Sequence, residues 1–194
     1  MPIERNGLVV RCPYRHPPFA DYITMISTHV QEALNEQINT EFASSYAYLA
    51  MAAYCERQNL RGCAHWLRMQ STEEYGHGMK LFNFMIARSA KVVLREIPSP
   101  QTDYASILDV FQQSLNQETQ VSQRLDALYE LAFREKNFAA LVELQWFITE
   151  QVEEERTART ILAKLELVKD DPAALLDLDR EFSQRSQIEQ PVET

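Results

Sequence analysis

Apolar residues recur along most of the chain at alternating spacings of three and four, which places their side chains on one face of an α-helix. The prolines fall near the beginning, the middle and the end, and they leave two proline-free tracts, Met25 to Ile97 and Gln101 to Asp171. Because proline removes a helical hydrogen-bond donor and clashes with the preceding turn, such tracts can hold long helices. No run of alternating β-branched residues bounded by glycine turns is visible, so the sequence predicts an all-α protein.

Each tract has one natural break, at Asn59 to Gly62 in the first and at Lys136-Asn137 in the second. The breaks predict four helices of roughly 27 to 32 residues, which are long enough to pack as a four-helix bundle. The segment Ser89 to Thr102 joins the second helix to the third. Its fourteen residues reach about 46 Å when extended, so a long crossover along the bundle is feasible.

A short fifth helix is expected near the C-terminus. Asp171 is suited to cap its first turn, and Pro172 is suited to the first helical position. Its apolar face is predicted to consist of Leu175, Leu176, Leu178 and Phe182.

The apolar stripe of each long helix is interrupted near its middle by a carboxylate. These residues are Glu41, Glu74, Glu118 and Glu154. A bundle of such helices brings them to one level of the interior, where desolvation costs several kcal/mol per ion and mutual repulsion adds to it. Two divalent cations would balance the four negative charges. The pattern therefore predicts a dinuclear metal centre.

Glu74-x-x-His77 places a carboxylate and an imidazole one helical turn apart on the same face, as in known di-iron bundle sites. We expect Glu41, Glu74 and His77 to hold one ion. This hard, oxygen-rich ligand set without thiolate suits iron or manganese, with zinc as a competitor. Two Fe²⁺ ions held roughly 3.5 to 4 Å apart can together deliver two electrons to one O2 molecule.

The second ion is expected between Glu118 and Glu154, with Glu74 as the bridge and Gln151 as a further ligand. A symmetrical site would have a second Glu-x-x-His motif, but this chain has Gln151-x-x-Glu154. We therefore expect the second ion to be held more weakly and released more readily, so that the metal behaves as a substrate.

Further polar residues lie beside these ligands. Tyr48 lies two turns beyond Glu41 on the same face, where it can hydrogen-bond a ligand or lend an electron, or simply pack in the core. Glu73, Glu150 and Glu153 can form an adjoining acidic site. The alternative is that the run from Glu150 to Glu155 is a solvated charged surface.

Composition narrows the choice of partners. The chain has 194 residues with 19 basic and 28 acidic side chains, giving a formal net charge of −9. Such a surface repels nucleic-acid backbones and anionic lipid, so we expect neither partner. Three cysteines without a C-x-x-C pair argue against a disulfide framework and favour the cytoplasm. No export or membrane segment is evident.

The motifs together resemble those of bacterial non-haem ferritins over about Met25 to Phe182. The segments that carry the resemblance are Asn35 to Glu41, Glu73 to His77, Gln117-Glu118 and Leu144 to Glu155. The resemblance implies a ferritin-like four-helix bundle with a long crossover between helices two and three and a short fifth C-terminal helix. It also implies an iron-storage ferritin with ferroxidase activity, using O2 or peroxide.

The resemblance implies roles for individual residues as well. Glu41, Glu74 and His77 match the first iron site of the family, and Tyr48 matches the tyrosine near its di-iron centre. The second site is matched by Glu74, Glu118, Gln151 and Glu154, and a third, inner site is matched by Glu73, Glu150, Glu153 and Glu154. The family assembles twenty-four subunits into a cage and deposits ferric mineral inside. No haem is expected, because haem-binding relatives repeat Glu-x-x-His and have methionine where Tyr75 stands.

On this basis residues 1–24 are an irregular N-terminal extension, residues 25–186 the ferritin-like domain, and residues 187–194 a flexible tail. Two other functions stay open from the residues alone. A di-metal oxidase acting on an organic substrate would use the same bundle and retain both metals. A non-catalytic helical interaction protein would carry the same glutamates as surface charge.

Overall fold

A computed structural model describes residues 26–185, and within that range it contains α-helices and no strand. The helices are α1 (Thr28–Arg57), α2 (Arg61–Ala87), α3 (Ile107–Arg134), α4 (Phe138–Val168) and α5 (Pro172–Phe182). The four long helices have 30, 27, 28 and 31 residues, which confirms the predicted lengths. The predicted extension at 1–24 and tail at 187–194 lie outside the described residues, so their bounds stay predictions.

The long helices form two hairpins, α1 with α2 and α3 with α4, and α1 also packs against α3. Both predicted breaks are confirmed. Asn59 lies in the first turn with φ 60° and Lys136 in the second with φ 55°. This left-handed conformation reverses the chain within a few residues, as a tight antiparallel connection requires.

The crossover between α2 and α3 spans residues 88–106, longer than the predicted Ser89 to Thr102. The third helix starts late because Ser106 caps it, accepting a hydrogen bond from the Asp109 N–H at 3.1 Å. The preceding residues form no helix, and Tyr104 packs edge-on against the Tyr54 ring of α1. The predicted end at Thr102 was therefore wrong by one helical turn.

Two asparagines on one face of α1 hold the start of the crossover. The Asn35 amide donates to the Lys91 carbonyl at 2.9 Å, and its oxygen accepts the Val93 N–H at 2.6 Å. One turn later, Asn39 donates to the Val93 carbonyl at 2.9 Å and accepts the Arg95 N–H at 2.7 Å. These bonds satisfy backbone groups of a segment that belongs to no helix or strand.

The fifth helix begins as predicted. Asp171 accepts hydrogen bonds from two first-turn N–H groups, and Pro172 occupies the first helical position. Leu178 and Phe182 are buried, whereas Leu176 is 50% exposed. The inclusion of Leu176 in the apolar face was wrong, because the buried face of α5 consists of Leu178, Asp179 and Phe182, which recur with the helical period. The Asp179 carboxylate on this face accepts a hydrogen bond from the Cys63 N–H in the first turn of α2.

The apolar interior of the bundle is divided into two clusters. One includes Met51, Leu67, Phe111 and Leu165 and extends to α5, and the other includes Leu34, Leu81, Leu125 and Leu144 toward the opposite end. Between them lies a layer of buried polar side chains. Within residues 26–185, no helix has the length and apolar character to cross a bilayer.

Candidate metal centre

The polar layer contains the four glutamates that the sequence singled out. Glu41, Glu74, Glu118 and Glu154 expose only 0%, 1%, 1% and 8% of their surface. Each comes from a different long helix, so the structure brings the four carboxylates into the interior between the two apolar clusters. The alternative in which they form a surface charge is therefore wrong.

Three of the predicted ligands form a compact group. One ligand atom from each of Glu41, Glu74 and His77 lies within 4.8 Å of the others, and all three residues are buried. The Nδ1 atom of His77 lies 3.7 Å from Oε2 of Glu74, which is too long for a hydrogen bond. Three ligand atoms that converge in this way, in a buried position, leave a place for a cation.

Two oxygens in this group have no hydrogen-bond partner. Glu41 Oε2 and Glu74 Oε1 are buried and unpaired, while the other oxygen of Glu41 accepts a bond from the Gln37 amide at 2.7 Å. An unpaired buried acceptor is costly, and two on neighbouring carboxylates are more so. The donor set of two carboxylates and one imidazole suits a divalent ion such as Fe²⁺, which would satisfy both oxygens.

In the other half of the layer, the carboxylates of Glu118 and Glu154 accept hydrogen bonds from neighbouring side chains. The Gln151 amide donates to Oε2 of Glu118 at 2.8 Å, and the Tyr48 hydroxyl donates to Oε1. Glu154 accepts a bond from the Gln70 amide at 2.9 Å. Neither Glu118 nor Glu154 belongs to the compact group. A second ion would therefore have to compete with these amides, which accords with the weaker binding expected there.

Burial raises the pKa of all four carboxyls. The pKa of Glu41 is raised by burial, and that of Glu74 stands well above its usual value because of burial and the neighbouring carboxylates. Burial also raises the pKa of Glu118 to about 7 and that of Glu154 to about 8. Without cations this layer holds protons near neutral pH, and cation binding would release them.

These pKa shifts predict how the stability of the metal-free protein depends on pH. Between about pH 4.5 and 8, the folded chain binds protons that the unfolded chain has already released, so the free energy of unfolding falls as the pH rises. We expect the metal-free protein, kept in chelator, to resist urea better at about pH 6 than at about pH 8.5.

The control repeats the urea denaturation at both pH values with a saturating concentration of a redox-inert divalent ion. The bound ion favours the ionised carboxylates, so its stabilising effect should grow as the pH rises. Stability of the metal-free protein that increases over this pH range would contradict the buried carboxyl layer.

The helix that presents His77 continues through Gly76 and Gly78 to Ala87 without a break. Outside the three-ligand group, His77 packs edge-on against Trp146 and Phe147, with ring centroids 5.4 and 5.9 Å away. These apolar neighbours fix the ring and exclude water from one side of the group.

The predicted inner acidic residues are more exposed than the central layer. Glu73 and Glu150 are half-buried, and Glu153 is exposed. Glu73 pairs with Arg185 at 2.6 Å, and Glu153 lies 3.6 Å from Arg156. The structure therefore sets these three residues beside the buried layer and not within it.

Three residues that hold this layer were not assigned a role from the sequence: Gln37, Gln70 and Arg185. Gln37 lies one turn before Glu41 and bonds to it, and Gln70 lies one turn before Glu74 and bonds to Glu154. An amide one turn from a buried carboxylate is a signal that sequence analysis can use. Arg185 follows α5, and no pattern in the sequence connects it with the site.

Comparisons of the sequence and the fold with known proteins identify relatives of one family. Residues 31–168 match the family model of the ferritin-like domain. The chain is 39% identical to a bacterial non-heme ferritin of Staphylococcus aureus, covering 84% of this chain and 98% of that protein. It is 40% identical to one of Staphylococcus epidermidis, covering 86% and 100%. An open-pore ferritin from the archaeon Archaeoglobus fulgidus superimposes with a TM-score of 0.82 at 43% identity, covering 83% and 99%.

Proposed function

The chain belongs to the ferritin family, and from that membership we propose that its buried carboxylate layer is a ferroxidase centre. The protein is an iron-storage ferritin that oxidises Fe²⁺. The observation that supports this location is the pair of unpaired, buried oxygens on Glu41 and Glu74, within reach of His77. The site residues are our assignment from this geometry and from the resemblance.

In this assignment Fe²⁺ is the substrate. Glu41, Glu74 and His77 bind the first ion, and Glu74 is shared with the second. Glu118 and Glu154 hold the second ion after Gln151 and Gln70 have yielded their hydrogen bonds. Two Fe²⁺ ions each give one electron to O2, which with two protons becomes hydrogen peroxide. The carboxylate ligands favour the Fe³⁺ product because they are hard, anionic donors.

Tyr48 acts on this chemistry through Glu118. Its hydroxyl donates to the carboxylate and also lies 2.9 Å from the Ser114 hydroxyl, and the whole side chain is buried. Burial and the nearby carboxylates raise its pKa well above the usual value, so the phenol keeps its proton. Tyr48 therefore orients Glu118 as a hydrogen-bond donor.

For storage, the product has to enter an enclosed space, and we propose the twenty-four-subunit cage of the family. The outer face of the α1–α2 hairpin supports assembly, because it carries an apolar groove of about 360 Å³. Its lining includes the partly exposed side chains Tyr46, Leu49, Tyr75, Leu94 and Ile97. Exposed apolar patches of this kind are typical of subunit contacts.

We also propose that the protein works in the cytoplasm with O2 or peroxide as oxidant. Cys55 and Cys63 support the compartment, because both are buried free thiols. Burial raises the pKa of Cys55 to about 12 and that of Cys63 also upward, so neither is poised to form a disulfide.

Anaerobic Fe²⁺ titration followed by O2, with particle mass measured by light scattering, tests this function. We expect rapid oxidation of many more Fe²⁺ ions than the ligands can hold, with the ferric product retained in a particle far larger than one 22.5 kDa chain. Two tightly retained irons in a small particle would instead indicate a di-metal oxidase of an organic substrate. A chain that binds no Fe²⁺ would contradict both.

A further inference from the structure

Arg185 lies three residues after the end of α5, beside the carboxylate layer. Its two terminal nitrogens donate to Gln70 Oε1 at 2.5 Å and to Glu73 Oε2 at 2.6 Å. The guanidinium lies 4.5 Å from the centre of the Trp66 ring. The backbone carbonyl oxygen of Arg185 lies 2.8 Å from Nε2 of His65. Backbone and side chain are thus both held against one face of α2.

The guanidinium is linked to the buried layer through Gln70. This amide is fully buried, accepts the bond from Arg185 and donates to Glu154 at 2.9 Å. The positive charge also acts on Glu154 directly, opposing the rise of its pKa that burial, Glu118 and Glu73 cause. Arg185 therefore neutralises Glu73 by contact and Glu154 at longer range.

The Arg185 guanidinium is held at a position to which the carboxylates would otherwise attract a divalent metal ion. The side chain of Arg185 contacts Glu73, and its charge acts on Glu154, so two carboxylates on this side of the central layer already face a cation that the chain itself supplies. A planar guanidinium that bonds two acceptors at once and stacks on an aromatic ring is less easily displaced than a single ammonium. A divalent ion leaving the central layer on this side therefore meets a charge of its own sign.

We propose that Arg185 is a built-in counter-cation that keeps Glu73 and Glu154 from binding a further Fe²⁺ ion between them, so that iron passing this side of the layer must first displace the guanidinium. The inference rests on the proposed ferroxidase function and concerns its regulation. In this scheme Arg185 positions Gln70 and Glu73 by hydrogen bonds, and its charge competes with Fe²⁺ for the Glu73 carboxylate.

The experiment compares the number of Co²⁺ ions bound per subunit by the assembled protein, using calorimetry and visible absorption. Arg185→Gln removes the charge and keeps hydrogen-bonding capacity. Arg185→Met removes the charge and keeps an apolar contact with Trp66. Both variants are expected to bind about one more Co²⁺ ion per subunit than the unmodified protein. Adding Glu73→Gln to either variant should abolish this gain.

Arg180→Gln is the matched control. It makes the same charge change on α5, but Arg180 is exposed and, among residues 26–185, its side chain pairs only with Asp177 on its own helix. This variant should bind as many ions as the unmodified protein.

The two proposals fail in different ways. Unmodified protein that binds no Co²⁺ would overturn the proposed metal centre itself. Unmodified protein that binds Co²⁺, with neither charge-removing Arg185 variant gaining a further ion, would overturn the inference about Arg185 and leave the centre standing. A purely structural tether would alter the melting temperature without altering the ion count.

Discussion

Replacing Glu74 with glutamine is expected to abolish rapid Fe²⁺ oxidation and at the same time to stabilise the metal-free protein. Glu74 is the carboxylate we assign to both ions, so its loss removes an anionic ligand from each half of the centre. Loss of a residue that merely supports a metal ligand typically costs 10- to 100-fold, so loss of the shared ligand should lower the initial oxidation rate by at least about 100-fold.

The expected gain in stability of the metal-free Glu74→Gln variant also comes from removing the buried carboxyl group. Glu74 is 1% exposed, one of its oxygens is unpaired, and its pKa is raised well above the usual value by burial and by neighbouring carboxylates. A neutral amide avoids the cost of keeping this acid in the interior. We expect the metal-free Glu74→Gln variant to gain about 2 kcal/mol in the free energy of unfolding near neutral pH.

Glu130→Gln is the control for both measurements. Glu130 lies on α3 with 69% of its side chain exposed and pairs loosely with Arg134. This variant should keep the oxidation rate, and its stability should change by less than about 0.5 kcal/mol. An unchanged rate in Glu74→Gln, measured by stopped-flow absorbance after O2 mixing, would refute the site assignment.

Gly62→Ala is expected to be the most destabilising single-methyl change in the described chain. A Cβ atom at this position would lie 1.6 Å from the carbonyl oxygen of Asp179, so α5 would have to move off α2. The Asp179 carboxylate caps α2 by accepting the Cys63 N–H at 2.8 Å, and that bond would be lost as well. We expect a loss of about 3 kcal/mol in the free energy of unfolding.

Gly76→Ala on the same helix is the matched control. A Cβ atom there meets nothing within 4 Å, and the residue lies in the helix interior. The substitution should stabilise the protein by about 0.5 to 1 kcal/mol, because alanine favours the helix. Urea denaturation of both variants checks the pair. Equal stability of Gly62→Ala and the unmodified protein would show that α5 does not dock as described.

Local pattern was enough to predict the bundle. The period of the apolar stripes and the positions of proline fixed the helix lengths, since both act within a few turns of one helix. The polar breaks in the stripes also identified Glu41, Glu74, Glu118 and Glu154 as buried. A buried carboxylate is conspicuous in sequence because it interrupts an otherwise apolar face.

Features that depend on distant partners were not predictable in the same way. The path of the first part of the crossover depends on Asn35 and Asn39, whose amides reach residues more than fifty positions away. The exposure of Leu176 depends on how α5 docks. The place of Arg185 beside Glu73 depends on how the end of α5 lies along α2, which no periodic pattern in the sequence reports.

The most direct test of the account is to locate iron in the crystal. Crystals grown in chelator and soaked anaerobically in Fe²⁺ would be measured on both sides of the iron absorption edge. We predict two anomalous peaks per subunit inside the bundle, one among Glu41, Glu74 and His77 and a weaker one between Glu74, Glu118 and Glu154. Iron found only on the outer surface, with no peak between the helices, would contradict the proposed ferroxidase centre.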